Sequence, residues 1–496
     1  MRLRGSPRPL RLAVAALLVA GCADGSPLAP SAGRLLPGAP AAPEPGRYLV
    51  GFEGAPEIPA DVLAASGGRV IDSIPVFGVL VVDGVTNPDA LRAAHPAYIE
   101  AGFDVTIDPI AVDPIVGDAA AVPGADATPW YASGVQWDMT AIAADAGWSL
   151  TNGGEGITVC IVDTGIDVDH QELAGRVALR TNFVTAEPRV DDPNGHGSHV
   201  AGSVGARGTV VNGVAPRVTL IAARVLNAVG SGSETAITNG IRWCADNGAH
   251  VANVSIGGIR YRGTASFISS PITYGNAIGY ANARGMLVVV SAGNSNLRLP
   301  NPAQVVVPAQ VPGTLIVGAT GPLTRSTAPL PPAWDPFDPA QVWQGPDTRA
   351  FYSNFGPAVH VFAPGGRGGI PLSSTFRFVN GVAQGGPHDQ VWSVCSGQSD
   401  RLGAVDVGGT PGGAAPCAGS HDRYVPLAGT SMAAPHVTGL AALLYAELGG
   451  VRSPDARARV LACIRATADD IGDPSIYGGG RVDVRRAIEA IRAGAC

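Results

Sequence analysis

The sequence predicts an α/β protein: a mostly parallel sheet with helices on both faces, preceded by a small α/β domain. From about residue 135 onward, apolar β-branched runs alternate with segments of helical periodicity, a pattern typical of parallel sheets covered by helices. Polar residues follow three of these runs, at Asp163, Ser255 and Asn294, and ligands bind at such carboxyl ends of parallel strands. With 46 % hydrophobic residues among 496, the chain can bury a large core.

The first 22 residues predict a signal peptide. The basic stretch MRLRGSPRPLR precedes the apolar LAVAALLVAG, which has about ten residues where a membrane span needs roughly 20. The segment ends in VAGC, which resembles the lipobox of bacterial lipoproteins and predicts lipidation of Cys22. An ordinary signal peptide that is cleaved nearby is the alternative. Either interpretation predicts an exported protein, extracellular or held in the cell envelope, and no later segment has the length and apolarity of a membrane span.

Three segments follow before the large alternating array. Residues 23–46 are rich in Pro, Ala and Gly and predict an extended tether. Residues 47–108 show the order β-α-β-α-β, with RYLVGF as the first strand, PADVLAASG and NPDALRAAHP as helices, and YIEAGFDVTID as the last strand. Residues 109–134 are again rich in Pro, Ala and Asp and predict a linker.

Residues 135–496 are predicted to form the large domain. We expect strands at GITVCIVDTG, VTLIAARVL, AHVANVSIGG, MLVVVSAGN and TLIVGAT. We expect helices at NGHGSHVAGSVGA, SETAITNGIRWCADNG, PITYGNAIGYANARG, VTGLAALLYAEL, SPDARARVLACIRATA and DVRRAIEAIRAGA. The Pro-rich residues 321–349 and the Gly-rich residues 366–423 interrupt the alternation, and both predict surface insertions.

The cysteines predict disulfides. Six remain after Cys22, and an even number in an exported protein favours pairing. Six cysteines allow 15 pairings, and proximity in the sequence favours Cys395–Cys417 and Cys463–Cys496. Cys160 and Cys244 are expected either as buried thiols or as a third disulfide.

Four polar residues are candidates for chemistry, and each has an ordinary structural alternative. Asp163 could be a turn or capping residue, and Asn294 a turn residue. His196 could be a surface or core histidine, and Ser431 could cap the apolar helix that follows it. A metal site at His196 and His199 is also open, although no Cys or carboxylate stands at metal-site spacing.

Taken together, four motifs resemble those of the subtilases, the subtilisin-type serine peptidases. IVDTGID (161–167) resembles the family's catalytic aspartate motif, and NGHGSHVAG (194–202) its catalytic histidine motif. SAGNSN (291–296) resembles the oxyanion region, and GTSMAAPHVTG (429–439) the nucleophile motif. The order Asp, His, Ser is that of subtilisin. The resemblance extends from about residue 135 to the C-terminus.

The resemblance implies a serine endopeptidase. Ser431 would attack the peptide carbonyl, His196 would accept and return the proton, and Asp163 would orient the imidazole. The side-chain amide of Asn294 and the backbone N–H of Ser431 would stabilise the oxyanion. Such catalysis requires no cofactor.

The resemblance also implies that the segment SIGG pairs with an extended substrate as an added strand. The residues around the side chain that precedes the scissile bond would be Ser255, Ile256, Gly257, Ala292 and Gly293. Because these positions carry no charge, we expect broad specificity with a preference for apolar or aromatic residues there. A place in a buried core strand is the alternative for Ile256.

Residues 47–108 resemble the inhibitory propeptide of the family. Such a domain would be an intramolecular inhibitor, and we expect self-cleavage within about residues 109–134. Cys22 lies upstream of that cut, so maturation would release a soluble protease from a lipid anchor that holds only the zymogen. The partners expected are polypeptide substrates and the propeptide. The net charge of −7, spread along the chain, argues against nucleic acid, and we expect a monomer.

One calcium site of the bacterial subtilisins is not expected in this chain. After HGSHVAG the chain lacks the longer loop that binds calcium in the bacterial subtilisins, and it is more similar to proteinase K here. Structural calcium elsewhere stays open, with Glu172 and the Asp-bearing stretch 335–347 as candidate ligands.

Two functions of other classes remain as alternatives. A catalytically silent binding module is disfavoured because all three triad residues and Asn294 are present. A hydrolase that acts on esters is disfavoured because the SIGG segment suits a peptide.

Overall fold

The computed structural model describes residues 48–52, 57–74, 79–94, 96, 98–101, 104–106, 136–264, 266–321, 348–366, 377–379, 382–384, 390–399 and 417–496. The predicted signal peptide with Cys22, the tether, the linker and most of the two predicted insertions lie outside these residues. Among the helices of the described ranges, none combines the length and the apolarity that crossing a membrane requires.

The N-terminal residues form a four-stranded antiparallel sheet. Its strands are β1 (Tyr48–Gly51), β2 (Arg69–Ile74), β3 (Val79–Asp83) and β4 (Tyr98–Ala101), in the spatial order β2-β3-β1-β4. Helix α1 (Ala60–Ser66) follows β1, and the predicted second helix is a 3₁₀ helix, Pro88–Ala94. The predicted last strand is two strands, because β5 (Asp104–Thr106) leaves this sheet and pairs with a distant segment.

The large domain is organised around an eight-stranded sheet. Its strands are β6 (Thr158–Asp163), β7 (Val177–Asn182), β8 (Thr219–Arg224), β10 (Val251–Val254), β12 (Leu287–Ser291), β14 (Thr314–Gly321), β15 (Thr348–Arg349) and β16 (Val361–Pro364). Seven of them lie in the order β15-β14-β12-β10-β6-β8-β7, and β16 also pairs with β14. Every pairing is parallel except that of β14 with β15, which confirms the predicted fold class.

The core lies on both faces of this sheet. Successive side chains of a strand point to opposite faces, so Val159 and Ile161 of β6 pack into one hydrophobic cluster and Cys160 and Val162 into the other. Helices cover both clusters with their buried apolar side chains. They are α2 (Trp137–Ala141), α3 (Ala144–Trp148), α4 (His196–Gly205), α5 (Glu234–Asp246), α6 (Ser266–Ala283), α7 (Thr430–Glu447), α8 (Pro454–Ala466), α9 (Pro474–Tyr477) and α10 (Val484–Arg492).

The remaining strands form small two-stranded sheets. The antiparallel pairs are β5 with β9 (Ser231–Ser233), β11 (Gly258–Tyr261) with β13 (Gln304–Val307), β17 (Arg377–Val379) with β18 (Val382–Gln384), and β19 (Val391–Val394) with β20 (Tyr424–Leu427). Strand β19 lies inside the stretch 366–423 that was predicted as a surface insertion. The structure differs there because all four β19 residues are buried and the strand packs against α4.

Candidate active site

Three polar segments meet at one edge of the main sheet. Asp163 is the last residue of β6, Ser255 follows β10, and Asn294 comes three residues after β12. These strands are neighbours in the sheet and run parallel, so their carboxyl ends lie at the same edge. Helix α7 packs against all three strands and begins beside this edge with Thr430 and Ser431.

Asp163 holds the ring of His196. The Asp163 side chain has no exposed surface, and its Oδ1 lies 2.8 Å from Nδ1 of His196. The same oxygen accepts a 2.8 Å hydrogen bond from the backbone N–H of Thr164. This contact places a buried carboxylate on one ring nitrogen, the arrangement that orients an imidazole for proton transfer.

The loop before His196 is held by a residue that the sequence analysis missed. Oδ1 of Asp192 accepts hydrogen bonds from the N–H of Gly195 (2.7 Å) and of Asn194 (3.2 Å). Oδ2 accepts from the N–H and the hydroxyl of Ser198, at 2.8 and 2.6 Å. Asp192 therefore binds the N-terminus of α4 as a carboxylate, which also suits the positive end of the helix dipole. An Asp four residues before the His at a helix start was the available signal.

Asp192 also ties the His196 loop to the Asp163 segment. The Thr164 hydroxyl donates to Oδ1 of Asp192 at 2.8 Å and accepts from the N–H of Gly197 at 2.9 Å. Asp192 is fully buried, and burial raises its pKa, an effect opposed by the hydrogen bonds from Ser198, Gly195 and Thr164.

Two glycines allow the close approach of these segments. A Cβ on Gly197 would lie 2.2 Å from the backbone oxygen of Gly165. Gly165 has a φ of 121°, and a Cβ there would lie 2.3 Å from the backbone oxygen of Asp191. Any side chain at either position would push the Asp163 and His196 segments apart.

His199 does not act as a metal partner of His196. Its Nε2 lies 3.1 Å from the carbonyl oxygen of Val391 and 3.2 Å from that of Val425. Burial lowers the pKa of His199 to about 3. The two rings thus have different hydrogen-bond partners. His196 binds Asp163, and His199 binds backbone carbonyls of β19 and β20.

Ser431 and Ser255 bind each other reciprocally. The Ser431 hydroxyl donates to the carbonyl oxygen of Ser255 at 3.2 Å, and the Ser255 hydroxyl donates to the carbonyl oxygen of Ser431 at 2.9 Å. Asn253 of β10 donates to the Ser255 hydroxyl and accepts from Thr438 of α7. These contacts fix the start of α7 against the end of β10.

Asn294 is oriented by the residue before Ser431. Its Oδ1 accepts hydrogen bonds from the N–H of Thr430 at 2.9 Å and from the Thr430 hydroxyl at 2.8 Å. The N–H of Gly293 donates to the same hydroxyl at 3.1 Å. These contacts set the amide plane, and the donor of that amide is Nδ2.

The predicted substrate-binding residues separate into two groups. Ile256 and Ala292 belong to the hydrophobic core on one face of the sheet, and Ile256 is 1 % exposed. The structure therefore places Ile256 in the core, the alternative left open for it. Ser255, Gly257 and Gly293 lie at the strand ends, beside the start of α7 or next to β11.

The pairing of strand β9 with residues 104–106 was missed from the sequence. Strand β9 pairs antiparallel with β5, with Val105 opposite Gly232. Its sequence, SGS, follows a glycine and directly precedes α5, whose N-cap is Ser233. A short glycine-serine strand at an edge has main-chain groups that an extended peptide can reach, and here the chain's own residues 104–106 pair with it.

Glu172, a candidate calcium ligand from the sequence, binds backbone N–H groups. Its two carboxylate oxygens accept hydrogen bonds from the N–H groups of Gly208, Thr209, Val210 and Val211, at 2.7 to 3.2 Å. The hydroxyl of Tyr424 donates to Oε1 as well. The backbone N–H groups of the loop after α4 thus occupy the carboxylate oxygens that a bound ion would need. The other candidate stretch, 335–347, lies outside the described residues.

One group within the described residues has metal-ligand spacing. Asp167, Asp169 and His421 offer ligand atoms that lie within 4.8 Å of one another. A nitrogen among the ligands is untypical of calcium, which takes oxygen ligands. Nδ1 of His421 lies 2.8 Å from Oδ2 of Asp167, so the two form a histidine–carboxylate pair.

The six described cysteines form three disulfides. Cys395 joins Cys417, and Cys463 joins Cys496, as proximity favoured. Cys160 of β6 joins Cys244 of α5, so the third disulfide links the sheet to a helix.

Comparisons with known proteins agree with the fold and the motifs. The model of the subtilase family matches residues 154–480. A thermostable alkaline protease from Halalkalibacterium halodurans is 30 % identical over 357 residues, which are 72 % of this chain and 74 % of that protein. Subtilisin Savinase from Lederbergia lenta is 29 % identical over 359 residues, 72 % of this chain and 99 % of that protein.

Two solved structures share the fold. The epidermin leader peptide processing serine protease from Staphylococcus aureus superposes with a TM-score of 0.64 at 19 % identity, over 90 % of this chain and 98 % of that one. Fervidolysin from Fervidobacterium pennivorans, a keratinolytic enzyme related to subtilisin, gives 0.62 at 23 % identity, over 92 % and 62 %. The chain belongs to the subtilase family and is a subtilisin-type serine endopeptidase.

Proposed function

We propose that this endopeptidase uses Ser431, His196 and Asp163 as its catalytic triad, and that it is an exported, self-processed zymogen. The observation that carries the triad is the 2.8 Å contact between Oδ1 of Asp163 and Nδ1 of His196. A buried carboxylate on Nδ1 fixes the tautomer and assigns proton exchange to Nε2.

The steps of acyl transfer follow from the roles proposed for these groups. The Ser431 hydroxyl turns from the Ser255 carbonyl toward Nε2 of His196, gives up its proton and attacks the peptide carbonyl. The imidazolium that forms is stabilised by Asp163 and returns its proton to the leaving amine. Water then hydrolyses the acyl-enzyme by the same route, with His196 as the base.

Asn294 is the proposed side-chain donor to the oxyanion. Thr430 holds Oδ1 by two hydrogen bonds, so the amide is fixed before the reaction begins. A donor that needs no reorganisation stabilises developing charge most effectively. The backbone N–H of Ser431, at the start of α7, is the second proposed donor.

The substrate would bind as an added strand between two edges. The main chain around Ser255 and Gly257 supplies one edge, and Ser231–Ser233 supplies the other. Uncharged residues around the first of these edges favour a broad specificity with an apolar or aromatic residue before the scissile bond. A peptide library cleaved by the enzyme would test this preference.

Residues 47–108 would act as an inhibitory propeptide. Their last described strand, β5, occupies the β9 edge by antiparallel pairing, with Thr106 opposite Ser231. Peptide bound in this way competes with substrate for the same main-chain groups. We propose that the enzyme cuts the chain after this strand, within about residues 109–134.

Export and release can be tested together by mass spectrometry. We propose that Cys22 is lipidated and that self-cleavage frees a soluble, monomeric protease. The intact mass of the secreted product should correspond to a chain that starts between residues 109 and 134. The Ser431→Ala chain should remain uncut and membrane-bound. A secreted catalytic domain that still carries residues 23–46 would contradict release.

The catalytic proposal is tested by labelling and by substrate choice. A fluorophosphonate should label the wild-type protein at Ser431 and should not label Ser431→Ala. Casein should be cleaved more efficiently than a simple ester, relative to the uncatalysed rates. An unlabelled, inactive wild-type protein would favour a silent binding module, and hydrolysis of esters alone would favour an esterase.

A further inference from the structure

A disulfide-bonded turn lies against the loop that carries His196. The turn comprises the described residues 395–399 and 417–423, which follow β19, precede β20 and are joined by Cys395–Cys417. Both cysteines are fully buried. The N–H of Cys395 also donates to the carbonyl of Arg423, and that of Gly419 to the carbonyl of Gly397, so the two halves of the turn form one unit.

Three side chains of this turn bind the main chain of the His196 loop. Oε1 of Gln398 accepts from the N–H of Asp192 at 3.0 Å, and the Ser396 hydroxyl donates to the carbonyl of Asp192 at 2.9 Å. The Ser399 hydroxyl donates to the carbonyl of Asn194 at 2.6 Å. The backbone of Asp192 is thus held on both of its peptide groups by residues about 200 positions further along the chain.

The same turn also binds the segment that carries Asp163. Asp167, four residues after Asp163, accepts a 2.8 Å hydrogen bond from the N–H of Gly397. Nδ1 of His421 lies 2.8 Å from the same carboxylate oxygen. One covalently closed unit therefore touches the segments on which Asp163 and His196 stand.

The hydrogen bonds from the turn affect the position of His196 indirectly, through Asp192. The carboxylate of Asp192 fixes Gly195, Ser198 and Thr164, and its own main chain is fixed by Ser396 and Gln398. A shift of Asp192 would move the start of α4, which is where His196 lies. Because catalysis requires close alignment of the reacting groups, a displacement of about 1 Å can lower turnover by as much as about 100-fold.

We propose that the disulfide-bonded turn is a positioning element for His196, in which Ser396 and Gln398 hold Asp192 and the Cys395–Cys417 bond holds the turn. The inference rests on the proposed catalytic role of His196. Ser396 and Gln398 are positioning residues, since they touch no reacting group and act through Asp192.

The first test compares two disulfides in the full-length chain after export. The double variant Cys395→Ser/Cys417→Ser should lower kcat on the order of tenfold and leave KM within about twofold. The matched control is Cys463→Ser/Cys496→Ser, which removes a disulfide between α8 and the C-terminal residue. Both variants should lower the melting temperature, but the control should keep kcat within about twofold. Equal kcat values for the two variants would overturn the inference.

The second test leaves both disulfides intact. The variant Gln398→Ala should lower kcat about threefold or more at unchanged KM, and Gln398→Glu should restore it because a carboxylate oxygen can still accept from Asp192 N–H. Ser420→Ala is the control, since that hydroxyl bonds Asp422 within the turn. If the double cysteine variant does not fold, the comparison of Gln398→Ala with Ser420→Ala still tests whether the turn positions His196. Wild-type kcat in Gln398→Ala would overturn the inference, whereas an inactive wild-type enzyme would instead overturn the proposed function.

Discussion

Oδ1 of Asp163 lies 2.8 Å from Nδ1 of His196, and the two residues stand on different elements, the last residue of β6 and the first of α4. Their proximity depends on Gly165 and Gly197, which permit the backbones to touch, and on Asp192 and Thr164, which bridge the two segments. The Asp163–His196 pair is thus built by main-chain packing as much as by its own hydrogen bond.

The variant Asp163→Asn should retain the fold and lose most of the activity. An amide keeps the size of the carboxylate but can present its N–H to the ring, which selects the wrong tautomer and removes the charge that stabilises the imidazolium. We expect kcat to fall about 10⁴-fold, measured on a peptide substrate. Asp169→Asn, an exposed neighbour on the same loop, should keep wild-type kcat. Substantial activity in Asp163→Asn would remove Asp163 from the triad.

Substitutions at Asn294 can distinguish the role of its acceptor, Oδ1, from that of its donor, Nδ2. Asn294→Asp keeps an acceptor for Thr430 but loses the Nδ2 donor, and Asn294→Ala loses both. Both variants should lower kcat about 10²- to 10³-fold with little change in KM, the usual cost of losing one donor to an oxyanion. If Asn294→Asp had wild-type kcat, the side chain would serve only to hold Thr430.

Buried His199 should make the folded protein sensitive to acid. Burial lowers its pKa to about 3, whereas a histidine in the unfolded chain titrates near 6.5. Protonation therefore favours unfolding, and the stability that His199 contributes is complete above pH 6.5 and is lost progressively as the pH falls toward 3. Its Nδ1 is buried and has no hydrogen-bond acceptor among the described residues, so the added proton would find no partner there.

Urea unfolding at several pH values measures this contribution. His199→Gln keeps an N–H donor for the carbonyls of Val391 and Val425 but does not titrate. Between pH 7 and pH 5, the urea midpoint of the wild-type protein should fall more steeply than that of His199→Gln. Parallel curves over this range would show that His199 is not responsible.

Glu172 should stabilise the loop after α4 without a bound ion. Glu172→Gln replaces an acceptor by an amide group, so some of the four backbone N–H groups lose their partner in a buried place. We expect a loss of about 2 kcal/mol or more in the free energy of unfolding, seen as a lower melting temperature. Addition of calcium should not restore stability to this variant. Full rescue by calcium would show that the loop after α4 binds an ion through Glu172.

Much of the site could be predicted because its residues stand in local motifs. Asp163, His196, Asn294 and Ser431 each follow or begin an element whose apolar pattern is visible in the sequence. Strand-end positions predicted a ligand site at Asp163, Ser255 and Asn294. The roles of His196 and Ser431 came from the resemblance of their motifs to those of the subtilases. Ile256 was ambiguous because a strand-end residue can face the cleft or the core, and the packing of its side chain places it in the core.

The sequence by itself determined the fold class, the alternation of strands and helices in the large domain and the family motifs, since periodicity and motif spacing are properties of short segments. Only the tertiary structure decided which groups hold those motifs in place. Asp192 meets Gln398 across 206 positions, Glu172 meets Tyr424 across 252, and β5 pairs with β9. These partners lie in loops or in short strands of three or four residues, where no periodic pattern marks a residue. They come into contact only because the fold brings distant segments together.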